Sequence, residues 1–205
     1  EDEHWQVAYL PIDPQDIGRD YQAVIRVNSQ SGKGGMAFVL ERDFGIHLPR
    51  WMQTELAPVV QKATEAAGTE LSSQAIFDLL KDNFIVDQAP ISLKGYQIER
   101  DGHEIVHAKL AIDGQEVEVN GSGEGVVSAF LNAWAKHSGQ QVNVIDYSEH
   151  AVGEGTSAEA AAYYLINVDG ARVGGMALDN DSLGASLRAL ISAINRAKSE
   201  ARAAA

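Results

Sequence analysis

The spacing of apolar residues divides the chain into two stretches with different periods. In the first, Pro11, Pro14 and Gly18 punctuate the start, and residues 21–27 form a run rich in β-branched side chains that predicts a strand. A glycine-rich turn, Ser31-Gly-Lys-Gly-Gly35, then leads into the apolar Met36-Ala-Phe-Val-Leu40. After Leu48-Pro49 a helical stretch carries Trp51, Leu56, Val59, Val60 and Ala63 on one side. Pro58 falls inside it and predicts a kink or a restart, because proline lacks the N–H of the helical ladder. Ser72 or Ser73 can cap a last helix bearing Ile76, Leu79 and Leu80. Asp87-Gln-Ala-Pro90 reads as a short linker.

Beyond it a pattern occurs twice. Leu110-Ala-Ile-Asp113-Gly114 is a strand entering an Asp-Gly hairpin turn, and an alternating strand follows over 115–120. Leu165-Ile-Asn-Val-Asp169-Gly170 does the same, followed by a strand over 172–178. Each hairpin leads through a turn rich in Gly, Asp or Asn into an amphipathic helix. The first helix carries Val126, Val127, Phe130, Leu131 and Trp134, with Gly139 past its end. The second carries Leu183, Leu187, Leu190, Ile191 and Ile194. Two strand-strand-helix units of one design predict a pseudo-symmetric α+β domain with helices on one face of its sheets.

Composition narrows the function. The 205 residues are 45% apolar, enough for a core, and no run approaches the roughly 20 apolar residues of a membrane helix. A formal charge of −13 without a basic stripe argues against nucleic-acid binding. The absence of cysteine excludes disulfides, thiolate metal sites and a Cys nucleophile, and fits a cytoplasmic protein.

Four motifs suggest chemistry. His103-Glu-Ile-Val-His107 matches the H-E-x-x-H zinc pattern, which needs a helix to bring both imidazoles to one metal. Here the flanks predict a strand, where residues four apart lie roughly 13 Å from each other. Gly32-Lys-Gly-Gly35 lacks the glycine and the Ser or Thr of a phosphate loop, since those positions are Val27 and Gly34. Gly121-Ser-Gly123-Glu-Gly125 sits between a strand and a helix with G-x-G-x-G spacing; it is a poor dinucleotide fingerprint but a possible anchor for a small carboxylate. Ala158-Glu-Ala-Ala-Ala162 either packs closely as a helix or strand or leaves room for an apolar ligand group. No Ser-His-Asp set, carboxylate pair or His-x-His metal pair is recognisable.

Longer motifs carry a resemblance. Tyr9-Leu-Pro-Ile-Asp13, the run from Asp20 through Asn28, and Ser29-Gln-Ser-Gly-Lys-Gly-Gly35 closely resemble bacterial 2-isopropylmalate synthases. So do Asp146-Tyr-Ser-Glu-His-Ala151, Gly155-Thr-Ser-Ala158 and the run from Ser186 through Arg196. The family condenses acetyl-CoA with 3-methyl-2-oxobutanoate, using a (β/α)8 barrel, linker subdomains and a leucine-binding regulatory domain. A barrel needs about 250 residues, so the resemblance implies its C-terminal part: a linker subdomain over 1–86 and a regulatory domain over 87–205. The barrel's divalent metal would lie outside the chain, which itself implies no cofactor. Implied partners are leucine and a second copy of the chain.

Tyr21 matches a tyrosine that in the family reaches the partner subunit's active site. The leucine-binding positions map onto Gly123, Gly125, Val127, Ser128, Val144, Tyr147, Ala151, Ala158, Ala160 and Leu178. Ser128 departs from the small apolar residue usual there, and the loop at 138–141 carries an extra residue. Chemically, the glycine-rich helix start offers N–H groups to a carboxylate, acids such as Asp146 or carbonyls suit an ammonium, and the alanines leave space for an isobutyl group. An isoleucine sensor related to citramalate synthases and a ligand-free dimerisation module are the alternative readings.

Overall fold

The structure is a computed structural model that describes residues 32–153, 155 and 158–204. Tyr21 and the strand expected over 21–27 lie outside the described residues.

The glycine stretch expected to turn is helical from Gly32 on. It forms the start of α1 (Gly32–Phe44), where Met36, Val39 and Leu40 follow at helical spacing and are all buried. Their packing overrides the poor helix propensity of glycine. Helix α2 (Arg50–Ala67) buries Met52, Leu56, Val60 and Thr64, a row four residues apart. It runs through Pro58 without restarting. Pro58 lies on the exposed side, so the lost hydrogen bond falls where Leu56 and Val60 still hold the inner face. Gly68, at φ 64°, ends the helix and donates to the Thr64 carbonyl at 3.0 Å. In α3 (Ser73–Phe84) the cap is Ser72, whose Oγ accepts from the Ala75 N–H at 3.2 Å.

The two repeated units each contain three strands and a helix. The first is β1 (Ile91–Arg100), β2 (Glu104–Ile112), β3 (Gln115–Gly123) and α4 (Val126–Ser138). The second is β4 (Val142–Val152), β5 (Glu159–Val168), β6 (Ala171–Asp179) and α5 (Ser182–Ala204). Both sheets are antiparallel, in the orders β1-β2-β3 and β4-β5-β6. Asp113 and Asp169 take φ of 50° and 53° beside Gly114 and Gly170 at 85° and 87°, the conformation a tight two-residue hairpin demands. No (β/α)8 barrel occurs among the described residues.

Each helix lies close on its sheet because a glycine sits beneath it. A Cβ on Gly121 would overlap the backbone of Ala129 and Ala133 in α4; one on Gly175 would overlap that of Ala189 and Ala193 in α5. The pairing of a strand glycine with two helix alanines one turn apart thus occurs in both units. The resulting core joins Phe130 and Trp134 of α4 with Leu187, Leu190 and Ile194 of α5.

The helices are not confined to one face. Helices α1–α3 cover the other side of the second sheet, where Ala161, Tyr163 and Met176 share a core with Leu40, Met52, Leu56, Ile76 and Leu80. The physical cause is legible in β5, whose positions 161–166 are all buried and therefore covered on both faces. The corresponding face of the first sheet carries Gln97, Glu99, His107, Lys109, Glu118 and Asn120 and is open.

The segment before β1 is pinned to α5. The Ser192 hydroxyl accepts from the Val86 N–H at 3.1 Å. Asn195 accepts from the Ile91 N–H at 3.0 Å and donates to the carbonyls of Val86 and Ile91 at 2.6 and 2.8 Å. Arg196 of the same helix donates to the Gly174 carbonyl, lies 3.3 Å from Glu55 and covers the Phe84 ring at 4.3 Å. Helix α5 therefore ties α2, α3, β1 and β6 together.

Candidate functional site

The zinc-like motif is resolved by its local structure. His107 lies within β2 and His103 just before it. The His107 Nδ1 is 2.7 Å from Asn120 Oδ1, and its Nε2 is 3.6 Å from Glu99. Among the described residues no group of three or more His, Asp or Glu side chains could hold a metal.

The glycine-rich turn between β3 and α4 has the form of a helix start. Gly125 is the N-cap, in extended conformation at φ −152° and ψ 169°. A Cβ on Gly123 would overlap Ser128 Oγ and come within 2.6 Å of the Ala129 nitrogen, so only glycine lets β3 pass beneath the first turn. The Ser128 hydroxyl donates to the Gly125 carbonyl at 2.8 Å and accepts from the Gly125 N–H at 3.1 Å. The departure from an apolar residue at 128 thus supplies a local cap. Ala129 is the first residue of α4 to bond back to the turn, at 2.9 Å to Gly125, so the N–H groups of residues 126–128 have no helical carbonyl to meet. The second unit differs at the same place: Asp179 accepts from the Asp181 N–H at 3.0 Å and pairs with Arg188 at 2.8 Å. Tyr96 of β1 donates to Asp181, and burial followed by that carboxylate raises the Tyr96 phenol above its ordinary value. Two acids occupy the second turn, whereas the first carries Glu124, exposed between Gly123 and Gly125.

Strand β4 supplies the second group of expected residues. It is a sheet edge with Val144, Ile145 and Tyr147 exposed by 38, 47 and 63%. A register shift between Val144 and Asp146 lets Val144 and Tyr147 face the same way, opposite Ile166 and Tyr164. Ala151 lies opposite Ala160 in that row. Tyr147 stacks on Tyr164 at 5.6 Å. Between Tyr147 and Ala151 stands Glu149, which accepts a hydrogen bond from Ser186 of α5 at 3.3 Å. Burial raises the Tyr164 phenol above its ordinary value; the Ser186 hydroxyl opposes this, and Tyr147 and Glu149 add to it.

Val144, Tyr147, Ala151 and Ala160 therefore share the side of the second sheet that α5 packs on, at the edge away from β6. Ala158 immediately precedes β5, half-buried, and its N–H lies 3.4 Å from the Gly155 carbonyl. Gly123, Gly125, Val127 and Ser128 form a separate group on the first unit. Leu178 lies opposite Ala161 and packs against the core of α1–α3, on the reverse face of the sheet. Asp146, opposite Leu165, also faces away from Tyr147. Glu149, by contrast, shares the parity of Tyr147 and Ala151 along the strand.

Two concavities lie elsewhere, on the first sheet and at its junction with the second turn. One, of about 460 Å³, covers the polar outer face of the first sheet, where Lys109 already pairs with Glu118 at 3.5 Å. Another is lined by Tyr96, Asp179, Asp181 and Arg188.

Residues 70–198 match the family described as the LeuA allosteric (dimerisation) domain. This chain belongs to the LeuA allosteric domain family. Residues 1–41 also match the family described as alpha-isopropylmalate synthase, post-catalytic domain-like. A 2-isopropylmalate synthase of Pseudomonas syringae pv. tomato is 45% identical over 205 residues, 99% of this chain and 36% of that protein. One from Corynebacterium glutamicum is 44% identical over 200 residues, 96% of this chain and 32% of its own length. One from Thermobifida fusca is 44% identical over 196 residues, 95% of this chain and 34% of its own. The chain spans about a third of the length of the curated relatives it matches. It thus corresponds to the regulatory region of these synthases, and the LeuA-type core comprises both three-stranded units and α3. Among the described residues no helix is long and apolar enough to cross a membrane.

Proposed function

We propose that this chain is the leucine-sensing regulatory part of a cytoplasmic 2-isopropylmalate synthase, and that it acts as a homodimer with leucine held between the copies. The observation that carries this reading is the family match over 70–198, coupled to an uncovered apolar edge on β4. In the reading, one copy offers the N–H groups at the start of α4, framed by Gly123, Gly125, Val127 and Ser128, to the ligand carboxylate. The other copy offers Val144, Tyr147, Ala151, Ala158 and Ala160 to the isobutyl group. Glu149 is the acid on the same face as Tyr147 and suits the ammonium better than Asp146. Leu178 contributes through the core behind the sheet rather than by contact.

The parent enzyme would transfer the acetyl unit of acetyl-CoA in its barrel, whose own residues would hold the divalent metal, with Tyr21 serving the neighbouring subunit. Leucine would inhibit by preferring one arrangement of the regulatory dimer, since only a difference in affinity between two states shifts their populations.

Isothermal titration with leucine, with isoleucine and valine as controls, tests this. Saturable binding that favours leucine is expected, with valine weaker by the roughly 1–3 kcal/mol that one methylene is worth. Ala158→Val fills the space for the side chain and should abolish the heat. Preference for isoleucine would transfer the chain to the citramalate synthase reading, and a dimer without any ligand heat would leave only a dimerisation module.

A further inference from the structure

Strand β4 presents two different surfaces. Tyr147, Glu149 and Ala151 face the α5 side, and His150 between them and Val152 after them face the helical layer of α1–α3. His150 meets the loop joining α1 and α2, residues 45–49. Its ring stacks on Tyr163 at 5.5 Å and meets His47 edge-on at 4.7 Å. The loop is anchored on both sides of the contact, because Ile46 and Leu48 are core residues. Gly45, at φ 66°, donates to the Glu41 carbonyl at 2.9 Å, and Ile46 donates to the Leu40 carbonyl at 3.1 Å, which closes α1.

A single atom of His150 faces both a donor and an acceptor of this loop. Nε2 lies 3.2 Å from the His47 backbone nitrogen and 3.1 Å from the Gly45 carbonyl oxygen. Unprotonated, it accepts from the His47 N–H. Protonated, it donates to the Gly45 oxygen and turns an N–H toward another N–H. The two arrangements exclude each other, so the proton on this atom decides which loop group is held.

We propose that His150 is a positioning residue that latches the α1–α2 loop onto β4 in its neutral, Nδ1–H form, and that protonation exchanges the His47 contact for Gly45. The titratable and charged groups around it are few. From the loop side they are His47 and, 3.4 Å from the His47 Nδ1, Glu41; from β5 it is the Tyr163 phenol, which burial keeps neutral. Burial of the ring lowers the His150 pKa; the Gly45 carbonyl opposes this, and the charge of His47 adds to it. The unfolded chain then takes up its proton near the ordinary value of 6.5 while the folded chain does so at lower pH. The latch therefore stabilises fully above 6.5, and its contribution is lost as pH falls through that value toward the folded pKa.

Because β4 also carries the face assigned to leucine, the latch is placed to relay that strand's position to the helical layer, and this relay rests on the leucine reading. The test uses the chain labelled with ¹⁵N-histidine. At neutral pH the ring nitrogens of His150 are expected to show Nδ1 protonated and Nε2 bare. On acidification His150 titrates below 6.5, and the protection of the His47 amide, corrected for intrinsic exchange, falls several-fold in the same step. His150→Phe keeps the stack on Tyr163 but removes the acceptor, so its His47 amide should be weakly protected at every pH. An Nε2–H tautomer at neutral pH, or protection indifferent to the titration, overturns the latch on the unmutated chain, whatever the variant does. Leucine that binds without altering His47 protection refutes the relay. Leucine that gives no heat refutes the leucine reading, while the tautomer still decides the latch.

Discussion

Replacing Gly175 by alanine adds one methyl group at a place where two backbones touch. The new Cβ would stand 2.8 Å from the Ala193 Cα, with the Ala193 nitrogen and the Ala189 oxygen nearer still. An ordinary contact needs 3.4 Å or more, so α5 must rise from β6 by well over half an ångström. The helix cannot rise alone. Asn195 and Arg196, the next residues along it, hold Ile91 and Gly174, and Leu187, Leu190 and Ile194 fill the core beneath. Overpacking of a core costs about 1–3 kcal/mol, and a clash with main chain on both sides belongs at the upper end, about 3 kcal/mol. For a chain of this size that is a fall in Tm of roughly 6–12 °C. Gly34→Ala is the control: nothing lies within 4 Å of a Cβ on Gly34, which is inside α1, so it should stabilise by about 0.5–1 kcal/mol. Urea and thermal unfolding of both variants decide the matter. A Gly175→Ala chain within about 0.5 kcal/mol of the parent would refute the close approach of α5 to the sheet.

Gly121→Ala makes the equivalent clash under α4 and should cost a similar amount by the same unfolding assay, about 1–3 kcal/mol. Asn195→Leu removes the partner of the Ile91 N–H and of two carbonyls; with each buried group left unpaired costing about 1–3 kcal/mol, the urea midpoint should drop sharply without a change in slope. Ser72→Ala deletes the cap of α3 and should lose about 0.5–2 kcal/mol, with faster hydrogen exchange confined to the first turn of that helix. Trp134→Ala empties a nearly fully buried site between α4 and the first sheet and should cost about 3–5 kcal/mol in chemical denaturation.

Local structure was written plainly in the chain. The two Asp-Gly hairpins, the helix end at Gly139, a serine cap at 72 or 73 and the strand character of the zinc-like motif all depend on a few neighbouring residues. Turn chemistry and period report such features directly. The repeat of the unit followed from the same signals. The glycine stretch at 32–35 and the helix through Pro58 went the other way, because their conformation is held by contacts with α2, α3 and the second sheet that no local pattern reports. Only the tertiary structure showed that the second sheet is covered on both sides while the first is open on one, that α5 pins the segment before β1, and that Leu178 packs on the face of the sheet opposite Tyr147. A strand's alternation says which residues share a face but not what lies against it. That choice is made by partners distant in sequence, and so is the meeting of His150 with a loop about a hundred residues earlier.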